Sequence, residues 1–256
     1  CPSLSEMSVM PMQWLKKAVF EVNGGKVTIN NIEHDLQLSN NYNYLGFDIA
    51  DTGKDHCAIA KICGPLLRDC VEFDNTEIWR SVEFVDKYAR ENDIARIYFD
   101  AVGIGAGAKS DFSKIKNSQY TATAFMGGNS PHGKDEIYID DITNGNYFRN
   151  LKAQSWWNLR KKLENTIKLL DGEKIDISTC LILDKNIKKL DSLIIELSQA
   201  SYEHDESKLK VNKQPNGSDS PNLADAVVMA FSRSIKNGLK ARWFFLRKRK
   251  YKNMKV

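Results

Sequence analysis

Three aspartates lie in the sequence where a lone carboxylate is costly. Asp48 lies within an apolar stretch that predicts a strand, Asp100 directly follows a second such stretch, and Asp225 is the only polar residue between positions 223 and 231. Burying a carboxylate is unfavourable unless a cation or several hydrogen-bond donors meet it. These three positions are therefore the candidate functional residues of the chain.

Metal binding is the chemistry that three converging carboxylates support. Without cations they would repel one another, and the pKa of at least one of them would rise. Oxygen-only ligands favour Mg²⁺ or Mn²⁺, and two such ions about 4 Å apart activate a water and stabilise the leaving oxygen of a phosphodiester. The pattern predicts a two-metal site for phosphodiester hydrolysis in which Asp48, Asp100 and Asp225 are catalytic and bind the metals. Each aspartate taken alone is also typical of a strand end or a cap.

Asp55 is a candidate additional ligand. It begins the second predicted strand, after a turn that contains Asp51 and Gly53. An acidic turn beside a glycine is also ordinary loop chemistry, so the roles of both acids stay open. The four histidines have no ligand spacing and the five cysteines form no CxxC pair, which argues against a structural zinc site.

The elements that would position these acids follow from the apolar patterns. Residues 44–60 predict a β-hairpin, 66–73 a third strand, and 75–92 a helix with Thr76 as its N-cap. A buried strand over 94–99 ends at Asp100, a Gly-rich turn then opens a helix, and 120–125 predicts another strand. The order predicts an α/β fold with a mixed central sheet and helices on both faces. Sites in such sheets form at the carboxyl ends of the parallel strands.

The second half of the chain is richer in helix. A long helix is predicted over 146–170, with Trp156 and Trp157 packing in the core, and an amphipathic helix over 187–197. Residues 199–219 predict a projecting hairpin whose lysines Lys210 and Lys213 are either DNA-phosphate contacts or ordinary solvated side chains. The last helix is predicted to have Ser220 as its cap and Pro221 at its first position.

Charge is distributed unevenly along the 256 residues. The formal net charge is +4, but residues 236–256 carry nine Lys and Arg and no acid, so the remainder has 28 basic and 33 acidic residues. This pattern indicates a basic tail and no broadly basic surface on the body. No apolar run is long enough to cross a bilayer, so no membrane partner is expected. Because the chain begins with Cys1, we expect it to be part of a longer polypeptide.

Four motifs, in this order and spacing, resemble the nuclease domain of terminase large subunits from tailed phages. The resemblance extends over roughly residues 42–235 and rests on FDIADTGKDHCAIA, YFDAVGIGAGAKSDF, NYFRNLKAQSWWNLRKKLE and DSPNLADAVVMAF. It implies an RNase H-like fold of the resolvase and integrase type. It also implies a two-metal endonuclease in which Asp48, Asp100 and Asp225 match the metal-binding aspartates. Relatives often have SPD where this chain has Asn222, so that position is assigned no metal role.

The resemblance further implies how the protein works in the cell. Its substrate would be concatemeric viral double-stranded DNA, cut with low sequence specificity during genome packaging in the cytoplasm of the infected host. The portal and the small terminase subunit would be partners, and the ATPase domain of the same polypeptide would be absent from this chain. Residues 1–40 would be an interdomain linker or the end of that upstream domain, 41–236 the nuclease domain, and 237–256 the basic C-terminal tail.

Two alternatives stay open on the sequence. One is another RNase H-like phosphoryl-transfer enzyme, of the resolvase or transposase type. The other is a docking module for DNA or the portal that keeps the fold and performs no chemistry. Three isolated carboxylates in apolar surroundings favour catalysis over the docking module.

Overall fold

The computed structural model describes residues 7–39, 42–50, 56–74, 77–103, 105–205 and 208–232. The strands in these ranges are β1 (Val19–Phe20), β2 (Lys26–Ile29), β3 (Ile32–Asp35), β4 (Asn43–Asp48), β5 (Cys57–Cys63), β6 (Leu66–Phe73), β7 (Arg96–Asp100), β8 (Thr121–Phe125), β9 (Ile137–Ile139), β10 (Ile142–Thr143), β11 (Ile182–Asp184), β12 (Ser201–Asp205) and β13 (Lys208–Asn212). The helices are α1 (Met12–Lys17), α2 (Ile78–Glu91), α3 (Gly105–Lys114), α4 (Asn144–Tyr147), α5 (Leu151–Leu170), α6 (Leu190–Gln199) and α7 (Asn222–Phe231).

A seven-stranded mixed sheet in the order β1-β11-β6-β5-β4-β7-β8 forms the centre of the molecule. β5 pairs antiparallel with both β4 and β6, and the other neighbours pair in parallel, so β5 alone runs against the rest of this sheet. All six residues of β4 are buried, as expected for a strand covered on both faces. The predicted hairpin, third strand and mixed sheet are confirmed.

Helices cover the two faces of the sheet. One core contains buried residues of α5, α6 and α7, and a second core contains those of α2 and α3. Trp156 is fully buried and Trp157 is 8% exposed within the first core, which confirms that the two indoles pack. None of the described helices is long and apolar enough to span a membrane.

Several helix boundaries differ from the sequence prediction, among them that of α6, which is Leu190–Gln199 and not 187–197. The helix predicted over 146–170 is two helices, because Phe148 is extended and the side chain of Asn150 caps α5 by accepting the Ala153 N–H at 2.9 Å. Glu77, and not Thr76, occupies the N-cap position of α2. The sequence predicts Pro221 as the first residue of the last helix. It occupies the N-cap position instead, and α7 begins at Asn222, so the capping role assigned to Ser220 is wrong.

The N-terminal segment adds an edge to the central sheet. β1 pairs in parallel with β11, and Arg160 of α5 donates hydrogen bonds to the carbonyls of Ser8 and Val9 at 3.1 and 2.7 Å. The guanidinium also stacks over the rings of Trp14 and Trp157. Residues 7–39 therefore contact the same folded body as the rest, while the division at residue 41 stays a prediction. The basic tail, 237–256, lies outside the described residues.

Candidate active site

Asp48 and Asp100 end neighbouring parallel strands. β4 pairs with β7 in a register that places Phe47 beside Phe99, so the next residue of each strand is an aspartate at the same edge of the sheet. Asp48 is only 8% exposed. The sheet register brings these two carboxylates to one edge, where sites in mixed sheets are expected.

Asp225 reaches the same edge from a crossing helix. α7 lies directly on β4 because Gly46 has no side chain: a Cβ added there would lie 1.8 Å from the carbonyl oxygen of Ala226. Asp225, one residue earlier, is in the first turn of α7, and its side chain is 12% exposed. This close approach aligns Asp225 with the end of β4.

The Gly-rich turn after β7 holds Asp100 locally. Its Oδ1 accepts the backbone N–H of Val102 at 2.9 Å. The start of α3 comes so close that a Cβ on Gly105 would lie 1.9 Å from the carbonyl oxygen of Asp100. The glycine is therefore required where the helix begins, beside the aspartate.

The three carboxylates interact electrostatically. Burial raises the pKa of Asp48 well above its usual value, the charges of Asp225 and Asp100 raise it further, and Lys213 opposes them. Burial also raises the pKa of Asp225, although Lys213 and Lys152 favour its ionised form. The site thus concentrates negative charge in a place that water solvates poorly.

Lys213 is a cation in direct contact with this charge. Its ammonium donates a hydrogen bond to Oδ2 of Asp225. Burial lowers the pKa of Lys213, but Asp225, Asp48 and Asp100 outweigh burial and the net shift is upward. Lys213 directly follows β13, and its ammonium lies beside the acids. Whether it also contacts a DNA phosphate stays a prediction.

Lys210 lies farther out on the hairpin. Its ammonium forms a half-exposed ion pair with Glu203 at 3.2 Å, and its charge acts on Lys152. Whether Lys210 contacts DNA stays a prediction.

Sequence reasoning missed two charged residues near the acids. Lys152 is the second residue of α5, and its backbone N–H donates to the carbonyl of Gly127, just after β8, at 2.9 Å. Burial and Lys213 lower the pKa of Lys152, against the pull of Asp225 and Asp100. Glu196 of α6 is the second, and burial raises its pKa to about 7. Neither has a distinctive sequence signal, since both lie in amphipathic helices with other charged residues.

Three carboxylates are the kind of ligand that a hard divalent cation takes. Among the residues that the structure describes, no three His, Cys, Asp or Glu side chains are arranged to hold one metal ion. The three aspartates do influence one another's charge, and the ammonium of Lys213 already provides a cation beside them. Carboxylate oxygens in buried surroundings are the ligands that Mg²⁺ and Mn²⁺ prefer. Asp51 and Asp55 lie outside the described residues.

A mixed sheet of this order, with aspartates at the carboxyl ends of adjacent strands and helices on both faces, has the architecture of an RNase H-like fold. Neither a protein-family model nor a curated protein matches the sequence. Solved structures do match: the nuclease domain of the large terminase subunit gp2 of bacterial virus Sf6 is 27% identical, with a TM-score of 0.74 over 88% of this chain and 98% of that chain. The predicted resemblance to terminase large-subunit nuclease domains is confirmed.

Further matches include metal-bound structures. A variant of the Sf6 domain with manganese and beta-thujaplicinol gives the same TM-score, 0.74, and identity, 27%, over the same shares of both chains. The large terminase nuclease from thermophilic phage G20c with bound magnesium is 13% identical, with a TM-score of 0.50 over 90% of this chain and 98% of that chain. At that identity the G20c match supports the fold alone.

Proposed function

We propose that this chain is the metal-dependent endonuclease domain of a phage terminase large subunit, which hydrolyses phosphodiesters of concatemeric viral double-stranded DNA during genome packaging. The observation that carries the proposal is the placement of Asp48, Asp100 and Asp225 at one edge of the sheet from three separate elements. The similarity to the Sf6 nuclease, solved with manganese and with calcium, supports it.

The three aspartates would hold the divalent ions. When bound, Mg²⁺ or Mn²⁺ supplies Lewis-acid stabilisation and an activated water. The burial of Asp48 and Asp225 limits competing solvent at the site, and Asp100 is oriented by the Val102 N–H. Dependence on Mg²⁺ or Mn²⁺ in particular, and a pair of ions, belong to the proposal.

The lysines around the acids would bind the DNA backbone. Lys152 and Lys213 place positive charge beside the carboxylates, and Lys210 extends it along the hairpin. Phosphate contacts carry no base information, so cleavage of low sequence specificity is expected. Binding through phosphates also weakens steeply with salt.

The cellular setting belongs to the same proposal. The domain would act on double-stranded DNA in the cytoplasm of the infected host, with the portal, the small terminase subunit and the ATPase domain of its own polypeptide as partners. Within the chain, residues 41–236 would be the nuclease, preceded by the connection to the ATPase domain and followed by the basic tail.

Plasmid cleavage tests the proposal. We expect nicking and linearisation by the wild-type chain with Mg²⁺ or Mn²⁺, none with EDTA, and a loss of about a hundredfold or more in Asp100→Asn, because this variant removes a carboxylate that would hold the ion stabilising the transition-state charge. Asp135→Asn is the matched control, since Asp135 is exposed. Equal cleavage by Asp100→Asn and the wild type would refute the assignment, and strand transfer would favour the transposase-type alternative. Metal-bound protein that never cuts would favour the docking module.

A further inference from the structure

The helix that carries Asp225 has no cap of its own. Pro221 at the N-cap position of α7 makes no side-chain hydrogen bond to the helix. The first N–H groups of a helix lack partners within it and must find them elsewhere when they are buried. Leu223 and Ala224, which precede Asp225, are both fully buried.

Glu196 supplies the missing cap from another helix. Its Oε2 accepts the N–H of Ala224 at 3.0 Å, and its carboxylate also accepts a hydrogen bond from the Leu223 backbone. A carboxylate at this place satisfies two unpaired donors and complements the positive end of the helix dipole. The first turn of α7 is thus attached to α6.

Gln199 makes a second attachment from the same face of α6. It lies three residues after Glu196, and side chains at that spacing are neighbours on a helix. Its Nε2 donates to the carbonyl of Lys213 at 3.0 Å and to that of Asp219 at 3.1 Å. One face of α6 therefore contacts the chain at Lys213, at Asp219 and at the turn that contains Asp225.

We infer that Glu196 is a positioning residue for Asp225, acting through the first turn of α7, with Gln199 fixing the backbone at Lys213. The inference rests on the proposed function, since it assigns Glu196 a role in the same site. Gly46 allows α7 to pack directly on β4, and Glu196 fixes the first turn of that helix. Together these contacts determine where the Asp225 carboxylate lies relative to Asp48.

The test compares Glu196→Ala and Glu196→Gln with Asp191→Asn, an exposed acid of the same helix. A misplacement of about 1 Å at a reacting centre lowers rates by up to about a hundredfold. We expect Glu196→Ala to lower kcat by about ten- to a hundredfold and to leave KM for DNA within about twofold. Glu196→Gln, which keeps an acceptor oxygen, recovers most of the loss, and Asp191→Asn behaves as the wild type.

Amide hydrogen exchange supplies a readout independent of cleavage. In Glu196→Ala the amides of Leu223 and Ala224 exchange faster, while those in the second half of α7 keep their protection. Unchanged kcat in Glu196→Ala despite the faster exchange would overturn the positioning role, and so would unchanged exchange at both amides. Should Glu196→Ala fail to fold, Glu196→Gln decides: a kcat as low as that of an Asp225→Asn variant overturns the role of the acceptor.

Manganese binding separates this inference from the proposed function. If the wild-type chain cuts no DNA, the proposed function fails, and manganese affinity measured by calorimetry alone tests Glu196. A fall of about tenfold or more in Glu196→Ala, restored in Glu196→Gln, then supports positioning of Asp225. An affinity equal to that of the wild type overturns it.

Discussion

The two sides of the site hold their carboxylates differently. Asp100 is fixed by neighbours in sequence: its strand, the N–H of Val102 and the glycine that opens α3. Asp225 is fixed by contacts distant in sequence, since Gly46 admits α7 and Glu196 caps it. The position of a carboxylate held by its own turn follows from the neighbouring sequence, whereas the position of one held by distant elements depends on the whole fold.

Substitutions of Gly46 and Gly105 should have the largest effects on stability and cleavage, one on each side of the site. Gly46→Ala and Gly105→Ala each place a Cβ under 2 Å from a backbone oxygen, so backbone must move, at a cost of about 1–3 kcal/mol or more. We expect a lower unfolding midpoint and strongly reduced cleavage in both variants, measured by denaturant titration and plasmid assay.

Gly107→Ala is the control for these variants. In α3 its Cβ would make an ordinary 3.5 Å contact with Ile78, and alanine favours helix by about 1 kcal/mol over glycine. This variant should equal or exceed the wild type in stability. Stability of Gly46→Ala equal to that of Gly107→Ala would contradict the close packing of α7 on β4.

Removal of Lys213 tests the Asp225 side alone. Lys213→Met removes the donor to Asp225 and leaves a buried carboxylate unpaired, which costs about 1–3 kcal/mol. We expect lower stability in EDTA and a larger thermal stabilisation by Mn²⁺ than in the wild type, because the ion then neutralises the acids without competing with the ammonium. Lys210→Met, whose ion pair is half exposed, is the control. Equal responses to Mn²⁺ in both variants would contradict the assignment.

The pH dependence of stability follows from the raised pKa values. The pKa of Glu196 rises from 4.5 to about 7 on folding, and burial raises those of Asp48 and Asp225 as well. A carboxyl with a raised pKa contributes stability below its unfolded pKa and loses it as the pH rises through the folded one. In EDTA, the midpoint of thermal unfolding should therefore decrease as the pH rises from about 4.5 to about 7.

Divalent ions should act against this trend, since they bind carboxylates only in the ionised form. Stabilisation by Mn²⁺ should grow with rising pH over the same window. Asp48→Asn should weaken both trends, and a wild-type stability in EDTA that does not fall with pH would contradict the burial of these acids.

The smallest effects concern DNA binding by the lysines. The logarithm of the DNA-binding constant decreases linearly with the logarithm of salt concentration. Each phosphate contact that is lost should make this slope shallower by about 1. We expect Lys152→Ala, close to the acids, to lower this slope, measured by fluorescence anisotropy, and Lys210→Ala to lower it less. Stability should hardly change in Lys210→Ala, because exposed ion pairs contribute about 0–1 kcal/mol. A larger change of this slope in Lys210→Ala than in Lys152→Ala would indicate that DNA lies along the hairpin.

Sequence patterns predicted the parts of this molecule that local rules determine. The strands carrying Asp48 and Asp100 and the buried helix with Asp225 follow from apolar runs and glycines. The motif resemblance added the RNase H-like fold, and the structural match to the Sf6 nuclease confirms it.

Sequence patterns gave wrong or no predictions where contacts with residues distant in sequence determine a helix boundary or the place of a side chain. Ser220 and Pro221 fit a capping pattern, yet Glu196 supplies the cap from another helix. α4 ends before Phe148 and Asn150 caps α5, although the surrounding sequence favours a continuous helix. Lys152 and Lys213 become part of the site only when α5 and the hairpin meet the sheet. The spacing of residues along the chain does not predict these contacts.

The pairing of β1 with β11 has a practical consequence for anyone who expresses the domain. β11 is short, and all three of its residues are buried. A recombinant fragment trimmed to begin at residue 41 would lack β1 and leave one side of β11 with unpaired backbone groups. Open apolar edges recruit strands from other molecules. Soluble yield in such fragments therefore depends on keeping the residues before 41, even though none of the three aspartates is among them.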